Sequence, residues 1–131
     1  MAVELPLLMK TFEAAADLST KQYYYVKLTS TFNRVNVCTA ATDIPCGVLQ
    51  NKPDAVGKAA EVMMVGITKG SANGALSIGD LVGTSADSQV DAKVAGTDLT
   101  EYVVGQVLEA ATAAADIITM TVDCLNPHRA A

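Results

Sequence analysis

The side chains best suited to chemistry in this protein are three cysteines, a single histidine and a scatter of carboxylates. A nucleophilic relay needs a base beside the nucleophile and a third group to orient that base. His128 lies in the tail Asn126-Pro127-His128-Arg129-Ala130-Ala131, which reads as frayed and is a poor platform for such a relay. Cys46 follows Pro45 with no basic partner in sight, so it reads as a small buried residue. Cys38, Cys46 and Cys124 are widely spaced, and neither a Cys-x-x-Cys nor a histidine pair is present to hold a metal. Asp43, Asp54, Asp80, Asp91, Asp98, Glu101 and Asp116 fall at turns and strand ends, where they act as turn formers and solubilising groups. The glycine loops carry neither Gly-x-x-x-x-Gly-Lys nor Gly-x-Gly-x-x-Gly. Tyr23-Tyr24-Tyr25 could stack on bases or sugars, but alternation splits the three across two faces. These residues predict a protein that is not an enzyme and holds no cofactor or metal.

Composition narrows the partners. A length of 131 residues makes one domain with a real core, although only 5% of the residues are aromatic and there is no Trp. So thin a core suggests that burial between subunits supplements it. A formal net charge of -5 argues against a nucleic-acid backbone as partner, and no run approaches the length of a membrane span. The N-terminus lacks the basic start and apolar stretch of a secretory signal, and three separated cysteines suggest reduced thiols. Both fit synthesis in a cytoplasm.

The elements are strands. Thr42-Asp43-Ile44-Pro45-Cys46-Gly47-Val48-Leu49-Gln50-Asn51 is the stretch around which the others are organised. Pro45 forces extended backbone, Gly47 permits a bend or bulge, and Val48-Leu49 begins an apolar run. A start of this kind followed by a β-branched and Met run occurs twice. Gly47-Val48-Leu49-Gln50 precedes Glu61–Gly66, and Gly105-Gln106-Val107-Leu108-Glu109 precedes Asp116–Val122. Either an internal repeat or two ordinary strand pairs would produce this. Tyr24, Val26 and Leu28 should share one strand face, with Tyr23, Tyr25 and Lys27 on the other. After a turn at Ser30–Asn33, Arg34–Val37 should complete a hairpin. Val62–Ile67 shows no alternation, so it must be covered on both faces, inside the fold or at a subunit contact. Thr97–Thr100 is placed as one helical turn. Ile118, Met120 and Val122 should point inward. Short strands about ten residues apart predict an all-β fold, a small compact β-barrel or β-sandwich with few or no helices.

Residues 1–16 stand apart from the β-domain at 17–125 and the flexible tail at 126–131. Leu5, Leu7, Leu8, Met9 and Phe12 make a Pro-interrupted apolar arm with no evident partner strand. It reads as a mobile terminus or edge strand, or as an arm that orders on a partner by adding a strand to a sheet edge. A short helix over Phe12–Ala16 is also allowed by propensity.

Several stretches together resemble the head decoration, or capsid cement, proteins of tailed bacteriophages. They are Asp43–Asn51, Ala59–Gly66, Ile78–Val82, Gly105–Glu109 and the Phe12-Glu13-Ala14 start, and they span most of the sequence. Cys46 stands where a plainer apolar residue is expected. The resemblance implies a homotrimer on the outer surface of the virion shell, bound to the major capsid protein after expansion and stabilising the head against packaged DNA. Within it, Val3, Leu5, Pro6, Leu7, Leu8 and Phe12 would anchor the arm on the capsid. Val62, Met63, Met64 and Val65 would lie at the trimer contact or in the core. A β-barrel module recognising carbohydrate or a host surface is the alternative, and a β-barrel hydrolase a third reading.

Overall fold

A computed structural model of the protein describes residues 2–131; Met1 of the arm lies outside them. The fold is all-β, with no helix among the described residues. Its strands are β1 (Leu5–Ala14), β2 (Tyr25–Leu28), β3 (Arg34–Val37), β4 (Gly47–Leu49), β5 (Ala59–Ser71), β6 (Leu81–Thr84), β7 (Val90–Ala92), β8 (Tyr102–Val103), β9 (Gly105–Gln106), β10 (Ile117–Asp123) and β11 (His128–Arg129). The main sheet runs β1-β3-β2-β4-β5-β10, and a further β1–β5 pairing closes its first five strands into a ring. That closure is uneven. β1 meets β3 in parallel only through Glu13↔Arg34 and Ala14↔Val35, and β10 hangs outside the ring on β5, so the fold is not a clean barrel. Two small sheets, β7-β6-β9 and β11-β8, complete the body.

The expected β2–β3 hairpin forms antiparallel, with Val26↔Val37 and Leu28↔Val35 opposed. Alternation breaks before it, however. Tyr23 has φ 68, in the left-handed region, so β2 starts at Tyr25 instead of carrying all three tyrosines. Tyr25 and Val26 are then both fully buried, because the strand separates two cores. One core fills the ring with Phe12, Ala14, Leu18, Val26, Val35, Cys46, Leu49, Ala60 and Val62. The other lies under the small sheets and gathers Tyr25, Val48, Met63, Val82, Val90, Val107, Ile118, Met120 and Val122 among others.

The strand without alternation, β5, spans this division. Val62 faces one core and Met63 the other, which explains apolar residues on both faces. The two similar stretches are both strand pairs: β4 opposes β5 through Val48↔Met63, and Val107 bridges Met120 on β10. Gly47 is needed for close approach rather than for a bend, since a Cβ there would lie 2.5 Å from the Met63 carbonyl oxygen. Residues 97–100 form turns instead of a helical turn, with the Asp98 carboxylate accepting from Val94 N–H at 2.6 Å. The tail is tied down: β11 pairs with β8, and Ala130 N–H donates to Glu101 O at 3.0 Å.

One charge is wholly interior. The Lys93 ammonium is sequestered from solvent and ion-paired with Glu101 and, at 3.5 Å, with Asp91, the pairing a buried cation requires.

All three thiols are free and buried. Burial pushes Cys38 up to about 12 and Cys46 up to about 11, and raises Cys124 as well. Folded thiols therefore hold their protons where unfolded ones, near 9.0, begin to release them. Stability should be intact below pH 9 and decline as pH rises from there through about 11 to 12, by about 1.4 kcal/mol per pH unit for each ionising thiol. Urea midpoints taken at pH 8 to 10.5 measure this, and a Cys38→Ala, Cys46→Ala variant should show a shallower decline.

Candidate docking surface

The feature that invites a partner is β1. It lies antiparallel on β5 from Leu5↔Ile67 to Glu13↔Ala59, so the arm finds its strand partner within its own fold. The residues before it are fastened too. Val3 N–H donates to Thr119 Oγ1 at 3.0 Å, and Glu4 pairs with Lys69 at 3.4 Å. No helix forms over Phe12–Ala16, because the strand continues to Ala14 and its last apolar positions enter the ring core.

Burial divides the strand sharply. Phe12 and Ala14 are buried, whereas every residue from Leu5 to Thr11 is exposed. Leu7 is the extreme at 79%. Only Glu13 and Ala14 are paired with β3, so residues 5–12 present a sheet edge with no strand beside it among the described residues. An apolar edge of this kind is a template for another polypeptide, although Pro6 offers no N–H and Lys10 places a charge on it. Its regularity is broken by register shifts on either side of Leu8. Gly66 makes the approach of β1 possible: its φ is +145, and a Cβ would lie 2.7 Å from Leu5 O and 2.9 Å from Leu7 N.

The β2–β3 turn extends this surface. Phe32 projects there almost entirely into solvent, with Leu28 also exposed. A cleft of about 270 Å³ runs between the turn and β1, lined by Lys10, Phe12, Leu28, Thr31, Phe32 and Asn33 among others. Lys10 is oriented within it, donating to Asn33 Oδ1 at 2.5 Å and lying 4.3 Å from the Phe12 ring centre. Leu28 also borders a larger groove of about 630 Å³ with Ile44, Pro45, Cys46, Met64 and Cys124. At the groove's rim, burial of Asp43 is outweighed by bonds from Lys27 and the Thr39 and Ala40 amides, which hold its carboxyl below the usual range.

Of the residues that the sequence points to, Val3, Leu5, Pro6, Leu7 and Leu8 share this exposed stretch, whereas Phe12 is a core residue. Val62 and Met63 are core, and Met64 and Val65 are half-buried. Sequence reasoning misses the exposure of Phe32, Leu28 and Ile44 beside this stretch. The available signal is an aromatic at a turn position, where propensity favours small polar residues.

No family model and no curated protein matches the sequence. Among solved structures the fold is similar to the N base of the head fiber gp8.5 of bacteriophage phi29, at a TM-score of 0.67. The two are 18% identical, over 89% of this protein and 94% of that one. The likeness is one of fold.

The division within β1 gives a direct test. Gly66→Ala should cost about 2 kcal/mol, through the strained φ and the displaced β1 backbone. Leu7→Ser should stay within about 0.5 kcal/mol of the parent. Denaturant unfolding measures both.

Proposed function

We propose that this protein is a structural component of a phage head. It docks on the outer surface of the expanded shell, contacts the major capsid protein, and stabilises the head as a homotrimer without catalysing a reaction. The observation that carries the reading is the exposed apolar edge of β1, held in place by β5 instead of hanging free. An edge already ordered loses little conformational entropy when another strand adds to it. Fold likeness to a phage head fiber base and the stretches that resemble cement proteins support the same reading. Its site would comprise Leu5, Leu7, Leu8 and Met9, with Phe32 and Leu28 beside them. Since Val62 and Met63 are committed to the cores, a trimer contact on β5 falls to Met64 and Val65. Threefold closure would also cover part of the exposed apolar surface. The solvent-projecting Phe32 equally suits a shallow sugar-binding face, which a glycan array tests separately.

Deleting the whole arm is a poor test, because Phe12 and Ala14 would leave the core with it. The informative variant is Leu5→Ser, Leu7→Ser, which spares both. In co-sedimentation with expanded, undecorated heads, the parent should saturate and this variant should bind at least about tenfold more weakly, a loss of about 1.4 kcal/mol. Equal binding by a folded variant would remove β1 from the interface, and no binding by the parent would remove the shell reading itself.

A further inference from the structure

We infer that Asn73-Gly74 is a site of spontaneous backbone chemistry, where the asparagine converts through a cyclic imide to aspartate and isoaspartate. The reaction needs the amide nitrogen of the following residue to reach the Cγ carbonyl carbon of the asparagine. A following glycine offers no Cβ to hinder that approach. Asn73 is the only asparagine in the sequence followed by glycine.

The surroundings of the five asparagines separate them further. Asn126 precedes Pro127, which has no N–H to attack with. Asn36 lies in β3 and its own Oδ1 already accepts the Val37 N–H at 2.9 Å. Asn51 is clamped at both ends of its amide, donating to Ala59 O at 2.9 Å and accepting from Glu61 N–H at 3.0 Å. Asn33 accepts from Lys10, and the Arg34 N–H that would attack donates to Thr31 O at 3.3 Å. Asn73 sits in a bend between β5 and Leu76, half-buried, with Gly74 beside it. A Cβ placed on Gly74 would meet nothing within 4 Å, and its φ does not lie in the left-handed region. The fold therefore does not demand glycine there, and the space beside Gly74 is open.

The step balances with water alone. The Gly74 nitrogen, losing its proton, bonds to Asn73 Cγ, and the Cγ–Nδ2 bond breaks to release ammonia. Water then opens the five-membered imide at either carbonyl. Opening one way leaves an ordinary aspartate at position 73 on a normal backbone; the other way routes the backbone through the former Cβ. Both replace a neutral amide with a carboxylate, so the formal net charge moves from -5 to one unit lower.

The second product has a structural consequence. The loop is pinned on both sides: Ala72 N–H donates to Asp116 O at 2.9 Å, Asn73 N–H to Val90 O at 2.8 Å, and Leu76 exchanges hydrogen bonds with Ala111. A backbone lengthened by one carbon between these anchors cannot keep all of them. Amide exchange at residues 72–76 should therefore accelerate in the isoaspartyl form.

The test is ageing of the purified full-length protein in mildly alkaline buffer, followed by peptide mapping and isoaspartyl-specific methyl labelling. Asn73 should lose its amide before the other four asparagines, with label confined to its peptide. Gly74→Ala should fold normally, since its Cβ has room, and should suppress the conversion. Asn73→Asp should reproduce the charge change from the start and gain label much more slowly than the parent, since a carboxylate cyclises less readily than the amide. Another asparagine converting first, or Gly74→Ala ageing at the parent rate, would overturn the inference.

Discussion

Nearly everything in this molecule depends on how β5 is covered. Thirteen residues long, it pairs along one edge with β1 and along the other first with β4 and then with β10. Its two faces also serve different cores, with Val62 inside the ring and Met63 beneath the small sheets. A strand occupied on both edges and both faces leaves its neighbours little freedom of register, because a one-residue slip would exchange Val62 and Met63 between cores. Gly47 and Gly66 leave room for the close approach of β4 and β1 to it.

The same strand accounts for the ambiguity of the N-terminal arm. Leu5–Thr11 contributes nothing to either core, so its apolar character answers to no demand of the folded body. Phe12 and Ala14 do contribute, and they hold the strand in the sheet. One ten-residue element is thus structural at one end and available at the other. Apolar residues kept exposed on an ordered edge are costly in aggregation risk, and the proposed shell partner would be a physical reason to retain them.

Much of the fold is legible in the sequence. Alternation at Arg34–Val37 and Ile118–Val122, the turn residues, and the lack of alternation at Val62–Ile67 mark strands where strands occur. What escapes depends on long-range pairing. The partner of β1 lies 46 residues away at Glu13↔Ala59 and 62 away at Leu5↔Ile67, the tail is held by β8, and Lys93 is buried because Glu101 reaches it across a turn. Tyr23 breaks an alternating pattern through a left-handed φ that no propensity announces for tyrosine. At the candidate surface, the apolar arm is evident from sequence while its fixed geometry and the adjoining Phe32 are not.

If the proposed docking is right, the open edge of β1 becomes a paired edge on the virion shell. Hydrogen exchange of the amides of Leu5 and of residues 7–11, compared between free protein and protein bound to expanded heads, tests this most directly. Outward-facing amides should exchange rapidly in the free protein and become protected on the heads, while those bonded to β5 change little. Protection that is unchanged along β1 in a bound sample, with new protection elsewhere, would contradict it.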